Sequence, residues 1–194
     1  QQRLPTQGCS EILFHTARAF AKLRPVYFSM LMIDHGWVEE PGNSGESRLV
    51  YWKDVIDEMY LRYPSEAQGD LEILSTTPIS YSPSYAKDEP AELPIIINYQ
   101  DEEKIEVRVW ENILSTLTEI DILDKDKYLK SLERFYSVAN SCSRAIEYIM
   151  SNNMLIILDN RKVAHARKPF QGQKKNGNGN VELNPRKILS THIL

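Results

Sequence analysis

Hydrophobic and polar positions alternate over several short segments of the chain, and this pattern predicts many strands and few helices. The apolar run at residues 26–33 predicts a buried strand, and residues 105–110 alternate with the period of a half-exposed strand. The same reasoning predicts further strands at residues 11–14, 71–74, 154–158 and 186–194, of which 154–158 is expected to be buried.

Two segments have helical rather than strand periodicity. Residues 52–61 carry apolar side chains at helical spacing, and residues 126–150 form the longest apolar stripe of the chain. Loops are expected where proline, glycine or asparagine cluster, at residues 39–46, 77–94 and 171–180. Strands separated by turns, with a few helices between them, predict a mainly β fold: a single domain over residues 1–194, with a jelly-roll core and helical insertions.

Composition and charge exclude several functions. The chain of 194 residues is 42% hydrophobic and 26% charged, as expected for a globular protein with a substantial core. A net charge of −4 without a basic stripe gives no electrostatic basis for binding nucleic acid. No apolar run approaches the roughly 20 residues that span a bilayer. Cys9 and Cys142 are too few for a disulfide framework, so we expect free thiols and a cytoplasmic location.

Two histidines stand in contexts that indicate a metal site. His15 ends a predicted strand in the sequence Leu-Phe-His-Thr-Ala, and His165 follows a predicted strand and the turn Asp-Asn-Arg at residues 159–161. Non-haem iron(II) oxygenases hold their metal with two histidines and one carboxylate. In the usual sequence form the carboxylate lies two residues after the first histidine, where this chain has Ala17.

Both contexts resemble the iron(II)/2-oxoglutarate-dependent oxygenases of the clavaminate-synthase-like and taurine-dioxygenase-like type. The first motif, with Phe20 and then Arg24-Pro25 after it, resembles the family's FHT(E/D)…F…RP pattern. The second, at residues 154–167, resembles the strand and Asp-Asn-Arg turn that precede the family's second metal histidine. The resemblance implies a jelly roll, with His15 and His165 as the protein ligands to iron(II). It also implies that the family's N-terminal strands lie outside this sequence.

Ala17 makes the first motif similar to that of the family's halogenases, which have alanine or glycine at this position. There the missing carboxylate leaves room for chloride on the metal, and the substrate radical receives chlorine in place of hydroxyl. The resemblance therefore implies an enzyme that uses iron(II), 2-oxoglutarate and chloride, with Ala17 at the halide site. Three alternatives remain open: a hydroxylase whose carboxylate was replaced by alanine, a natural hydroxylase with two histidines and a water, and a non-catalytic binding module.

The resemblance also implies residues for the cosubstrate and the substrate. Arg186 would pair with the distal carboxylate of 2-oxoglutarate, with Arg167 as the alternative, and the Ser47 hydroxyl would assist. The substrate is expected to be an amino acid, free or tethered to a carrier. From their position in the chain, three residues are expected to contact it: Arg108, Trp110 and Asn112. The two other histidines, His35 and His192, are expected to be structural.

Overall fold

The strands form two main antiparallel sheets. The computed structural model describes residues 10–36, 44–81, 87, 89–118, 121–170, 173–175, 178–183 and 186–193. The four-stranded sheet has the order β1-β10-β3-β8, made of Ile12–His15, Val163–Arg167, Ser47–Tyr51 and Ile146–Tyr148. The three-stranded sheet has the order β13-β2-β9, made of Lys187–Ile193, Tyr27–Asp34 and Leu155–Asp159.

The two sheets face each other across a small apolar interior. Phe28 of β2 stacks on the His165 ring of β10, with ring centroids 4.7 Å apart. Around this contact lies one cluster of buried or partly buried apolar side chains: Ala17, Phe28, Met30, Leu49, Ile156, Leu158 and Val163. Two facing antiparallel sheets with helices outside them are the predicted jelly roll with helical insertions.

Helices cover the outer face of the four-stranded sheet and complete the larger core. They are α1 (Trp52–Arg62), α2 (Ala67–Thr76), α3 (Ile113–Leu117) and α4 (Lys125–Asn140). On α4 the buried side chains recur at helical spacing, and Phe135 stacks on Trp52 of α1 with centroids 5.7 Å apart. The end of α4 also holds β1, because the Phe14 N–H donates to Asn140 Oδ1 (3.0 Å). Side chains alternate along a strand, so Phe14 of β1 faces the helices and His15 faces the interior between the two sheets.

Three element predictions were wrong. Residues 71–74 lie in α2, because their leucines pack on α4 at helical spacing and no strand pairs with them. The helix predicted at 126–150 ends at Asn140, and its last part forms a turn and then β8. In the segment 105–110 only Glu106–Val107 (β7) is a strand, and Arg108 is buried rather than exposed.

Three further predictions need smaller corrections. The strand at 154–158 is not buried, since Leu155 and Ile157 are more than half exposed on its outer face. The predicted loop at 77–94 contains Ile79–Ser80 (β4) paired with Glu92–Leu93 (β5), and residues 82–86 and 88 lie outside the described residues. Gln173–Lys175 (β11), within the loop predicted at 171–180, pairs with Val181–Leu183 (β12). A further two-stranded pair is formed by Ile96–Ile97 (β6) and β7.

A buried carboxylate ties α1 to the turn that follows α4. Glu58 of α1 accepts hydrogen bonds from Arg62 and from the Ser143 N–H. Burial raises the pKa of Glu58, but hydrogen bonds from Cys142, Ser143 and Arg62 outweigh it and lower this pKa to about 2. Cys142 is a buried free thiol, whereas Cys9 lies outside the described residues. In the part of the chain that the structure describes, no helix has the length and apolar character to cross a membrane.

Candidate metal centre

The fold brings the two predicted metal histidines side by side. His15 on β1 and His165 on β10 are direct partners in the antiparallel ladder, so both side chains lie on the same face of the sheet. Their ring centroids are 4.2 Å apart at an interplanar angle of 53°. This face is the sheet interior, because Phe28 of the opposite sheet packs on His165.

Hydrogen bonding determines which nitrogen of His15 is available to a metal. Nδ1 lies 2.9 Å from the Leu13 carbonyl oxygen. A carbonyl oxygen can only accept, so Nδ1 carries the hydrogen and Nε2 of the neutral ring presents its lone pair to the interior. Burial lowers the pKa of His15, although Glu111 and the Leu13 carbonyl oppose this shift. The neutral imidazole is the form that binds metals.

His165 also has the properties of a metal ligand. It is buried, and its Nδ1 has no hydrogen-bond partner among the described residues. Burial first, and then the neighbouring His15 and His192, hold the pKa of His165 well below its usual range. An unsatisfied ring nitrogen beside a second neutral imidazole fits a metal ion, which would satisfy both nitrogens.

His192 was expected to have a structural role, but it lies close enough to His165 to affect the pKa of that residue. The His192 ring lies 5.3 Å from the Phe28 ring, between centroids, and His192 is the direct partner of Phe28 in the three-stranded sheet. The other remaining histidine, His35, lies after β2, where its N–H donates to Asn152 Oδ1 (2.8 Å). His35 is partly exposed, as expected for a loop residue.

Ala17 lies at the edge of the apolar interior and is held by Asn160. The Ala17 N–H donates to Asn160 Oδ1 (2.8 Å), and Asn160 Nδ2 donates to the carbonyls of Ala17 (2.9 Å) and Pro25 (3.0 Å). Asn160 is the middle residue of the Asp-Asn-Arg turn and is 1% exposed. Its amide fixes the backbone two residues beyond His15. The Ala17 methyl packs in the cluster that contains Phe28, Leu158 and Val163.

A carboxylate outside both histidine motifs lies next to His15. Glu111 Oε1 is 3.3 Å from His15 Nε2. Thr16 brings the two together, since its N–H donates to the Val109 carbonyl (2.8 Å) two residues before Glu111. Among the described residues no three His, Cys, Asp or Glu side chains form a complete metal site, so Glu111 contacts the pair through His15. The sequence offers one indication of this residue: Glu111 is the one carboxylate in the segment 108–112, where substrate contacts are expected.

The three residues predicted to contact substrate surround Glu111 in sequence but differ in environment. Arg108 is buried, and its Nη1 donates to the carbonyls of Ala19 (3.3 Å) and Ala21 (2.9 Å). Trp110 stacks on Tyr81, with centroids 4.9 Å apart, and Asn112 is exposed at the start of α3. Arg108 also borders a cavity of about 290 Å³ with a mostly cationic polar lining: Lys22, Arg24, Glu106, Arg108 and Arg161.

The residues predicted for 2-oxoglutarate converge at the start of β3. Arg186 donates to the carbonyls of Ser44 (3.2 Å) and Gly45 (2.9 Å), and Ser47 is buried on β3 opposite Arg167. Burial lowers the pKa of Arg186, while nearby Glu46 opposes the shift. Both candidate arginines lie over the Phe170 ring, Arg167 at 4.7 Å and Arg186 at 5.0 Å from its centroid. The roles assigned to these side chains remain predictions.

Comparison with known proteins identifies the family. The family model of the taurine catabolism dioxygenase TauD, TfdA family matches residues 37–179, most of the chain. The chain therefore belongs to this family, as its two histidine motifs indicated. The match includes Ser47, Glu111 and His165 but not His15 or Arg186. No curated protein sequence matches the chain significantly.

Solved structures of non-haem iron oxygenases share the fold. Asparagine oxygenase in complex with Fe(II), 2S,3S-3-hydroxyasparagine and succinate is similar over 96% of this chain and 51% of its own, with 17% identity and a TM-score of 0.62. The oxygenase OrfP with Fe, succinate and (3S)-hydroxy-L-Arg is similar over 100% of this chain and 55% of its own, with 14% identity and a TM-score of 0.63. The chain thus spans about half the length of these structures, and the predicted jelly-roll oxygenase fold is confirmed.

Proposed function

We propose that this chain carries the metal centre of an iron(II)/2-oxoglutarate-dependent oxygenase that oxidises a C–H carbon of an amino acid or a similar small metabolite. The observation that carries the proposal is the pair of imidazoles, the partly buried His15 and the buried His165, adjacent on two paired strands. Membership of the dioxygenase family supports the same chemistry. Solved structures of the same fold contain Fe with alpha-ketoglutaric acid or with L-Arg, which supports an amino-acid substrate.

In this proposal the chain binds, orients and shields the reactants. His15 and His165 hold iron(II), which together with 2-oxoglutarate and dioxygen supplies the oxidising power and yields succinate and carbon dioxide. The Leu13 carbonyl orients the His15 ring, and Phe28 covers one face of His165 and excludes water from it. Arg186, with Ser47, binds the 2-oxoglutarate carboxylate. The guanidinium would exchange its two backbone carbonyl partners for the carboxylate, which is the stronger acceptor.

The substrate carboxylate has a candidate partner near Arg108. This arginine borders the mostly cationic cavity, where Lys22, Arg24 and Arg161 also contribute positive charge. Burial first, and then the neighbouring Arg108, lower the pKa of Arg24 to about 10, so an anion in the cavity would relieve this repulsion. A free or carrier-tethered amino acid with a negatively charged group fits this lining.

The central experiment measures metal binding and turnover together. Wild-type protein should bind Co(II) as an air-stable substitute for iron(II), and with iron(II), air and 2-oxoglutarate it should release succinate. His15→Ala and His165→Ala should abolish both. His35→Ala is the matched control, because His35 lies in a partly exposed loop and should leave both unchanged. Retained metal binding and turnover in both site variants would exclude the proposal. A non-catalytic binding module would consume no 2-oxoglutarate at all.

Chlorination is a second candidate because position 17 is alanine. If halide occupies the place of the missing carboxylate, a bromide soak should give an anomalous scatterer beside the metal and the Ala17 methyl. Mass spectrometry of an amino-acid panel, with iron(II), 2-oxoglutarate, air and chloride, should then detect chlorinated products. Ala17→Asp should suppress them. Hydroxylated products alone at every chloride concentration, with no bromide at the metal, would identify a hydroxylase.

A further inference from the structure

We propose that the mostly cationic cavity beside the loop after β1 binds a dianionic oxyanion, such as a phosphate group carried by the substrate. The charged residues of its lining are Lys22, Arg24, Glu106, Arg108 and Arg161. Binding of the anion is argued from the cavity alone, whereas its assignment to a substrate rests on the proposed function. The negative group expected on the substrate is thereby narrowed to one with two charges.

The first argument is that two buried guanidinium groups in the lining have donors to spare. Arg24 is 8% exposed and Arg108 is 7% exposed. Arg24 Nη1 donates to the Val107 carbonyl, and Arg108 Nη1 donates to two carbonyls of the loop after β1. The Nε atoms of both arginines have no hydrogen-bond partner among the described residues. Buried polar atoms are nearly always hydrogen-bonded, so these donors favour a ligand with acceptor oxygens.

The second argument is the charge of Arg108. Two other cations of the lining have carboxylate partners outside it, since Lys22 pairs with Glu89 and Arg161 with Asp159, each at 3.0 Å. Arg108 donates only to backbone carbonyls, and within the described part of the chain no ion pair joins it to a carboxylate. Buried charges are normally paired. Burial lowers the pKa of Arg108, and a bound anion would oppose this shift.

The third argument is that a carboxylate holds the place that a ligand oxygen can take. Of the described residues that line the cavity, Glu106 is the one carboxylate, and its Oε2 lies 3.3 Å from Arg24 Nη2. The Glu106 side chain is 30% exposed, so it can turn to solvent. Arg24 and Arg108 would then present two positive charges, and the planar fork of each matches two oxygens. This balance favours a dianion over a single carboxylate.

The size and the apolar part of the cavity fit an anionic group attached to a larger molecule. Its volume of about 290 Å³ is close to the lower end of small-molecule sites, about 300 Å³. Leu23 and Val26 complete the lining. They offer an apolar surface to the carbon atoms that carry the anionic group, while the arginines bind its oxygens.

The test is calorimetric titration with inorganic phosphate, without metal or 2-oxoglutarate, at about pH 8, where a phosphate group is mainly a dianion. Wild-type protein should bind phosphate more tightly than acetate, which has one charge. Lys22→Gln removes a positive charge and should weaken phosphate binding about threefold or more, whereas Glu106→Gln removes the competing carboxylate and should strengthen it by a similar factor. Lys104→Gln is the matched control, because Lys104 is exposed and pairs with Asp101 outside the cavity.

Two further variants locate the bound phosphate. Arg108→Gln should weaken phosphate binding about tenfold or more, since a buried charge partner is lost. Arg108 also holds the loop after β1, so thermal unfolding checks that this variant is folded, and the exposed Lys22 provides the test if it is not. Arg186→Ala should leave phosphate binding unchanged, because Arg186 lies at the start of β3 and not in the cavity.

Several outcomes would overturn the proposal. Equal phosphate affinities of wild type, Lys22→Gln and Glu106→Gln would exclude the cavity, and loss of binding in Arg186→Ala alone would place the anion at the cosubstrate arginine. Acetate binding as tight as phosphate binding would exclude a dianion site.

A last comparison tests the assignment to a substrate and separates it from the proposed function. O-phospho-L-serine should bind more tightly than L-serine, and equal affinities would overturn the assignment of the anion to an amino-acid substrate. None of these titrations involves the histidines. Phosphate binding without Co(II) binding would therefore exclude the proposed function and keep the anion site, and Co(II) binding without phosphate binding would do the reverse.

Discussion

Substitution of Asn160 should be the most informative single test of what holds the two histidine strands in place. Its amide joins the turn before β10 to the loop after β1, the two segments that adjoin the histidine-bearing strands. Asn160→Ala removes three hydrogen bonds and leaves the Ala17 N–H and the carbonyls of Ala17 and Pro25 without these partners. Both the stability of the protein and the placement of His15 should therefore suffer.

The magnitude follows from burial. Asn160 is 1% exposed, so water cannot replace its hydrogen bonds without opening the structure. Each unsatisfied backbone group costs about 1 kcal/mol or more, which gives a loss of about 3 kcal/mol in the free energy of unfolding. For a protein of this size that corresponds to a drop of about 6–12 °C in Tm. Asn160→Asp keeps the acceptor for the Ala17 N–H but loses the donor to two carbonyls, so it should not rescue the loss.

The assay combines urea denaturation with Co(II) titration. Asn112→Ala is the control, since Asn112 is exposed at the start of α3. Asn160→Ala should lower the unfolding midpoint in urea and weaken Co(II) binding by several-fold, because the loop next to His15 is no longer held. A loss below about 0.5 kcal/mol with unchanged Co(II) affinity would refute the argument that this amide organises the metal strands.

Three further predictions concern the cosubstrate arginine and acid stability. Arg186→Ala should raise the 2-oxoglutarate requirement for succinate release well over tenfold, since losing a buried charged pair costs about 2–5 kcal/mol, and should leave Co(II) affinity nearly unchanged. An unchanged requirement would indicate Arg167. Gly45→Ala should also raise the 2-oxoglutarate requirement, because an added Cβ would clash with Arg186 Nη1. It should lower the free energy of unfolding by about 1 kcal/mol or more, because Gly45 has φ +66°. Glu58→Gln should lower stability by about 1–2 kcal/mol above pH 4.5. As the pH falls toward 2 that difference should vanish, because the folded-state pKa of Glu58 is about 2, and equal acid dependence of variant and wild type in urea denaturation would contradict it.

Local sequence patterns identified much of the framework, but they failed where tertiary packing decides. The apolar run at residues 26–33 and the helical spacing at 52–61 correspond closely to β2 and α1, although β2 is not fully buried, since Tyr27 and Ile33 are exposed. The sequence predicts a strand at residues 71–74, because four residues are too few to distinguish the strand period from the helical period. Packing against α4 makes them helical. Likewise, the apolar stripe continued past Asn140 in sequence, but the chain turns there to pair β8 with β3.

The sequence alone predicted the histidine pair and indicated the family, because the motifs combine local strand patterns with residues whose chemistry is specific. The family match and the adjacent strands β1 and β10 agree with that interpretation. Only the tertiary structure revealed Glu111 and the function of Asn160. Their partners are distant in sequence, and the distances depend on how the segment before α3 and the turn before β10 fold against β1. The absence of a carboxylate at position 17 is a property of the sequence, whereas the presence of another carboxylate beside His15 is a property of the fold.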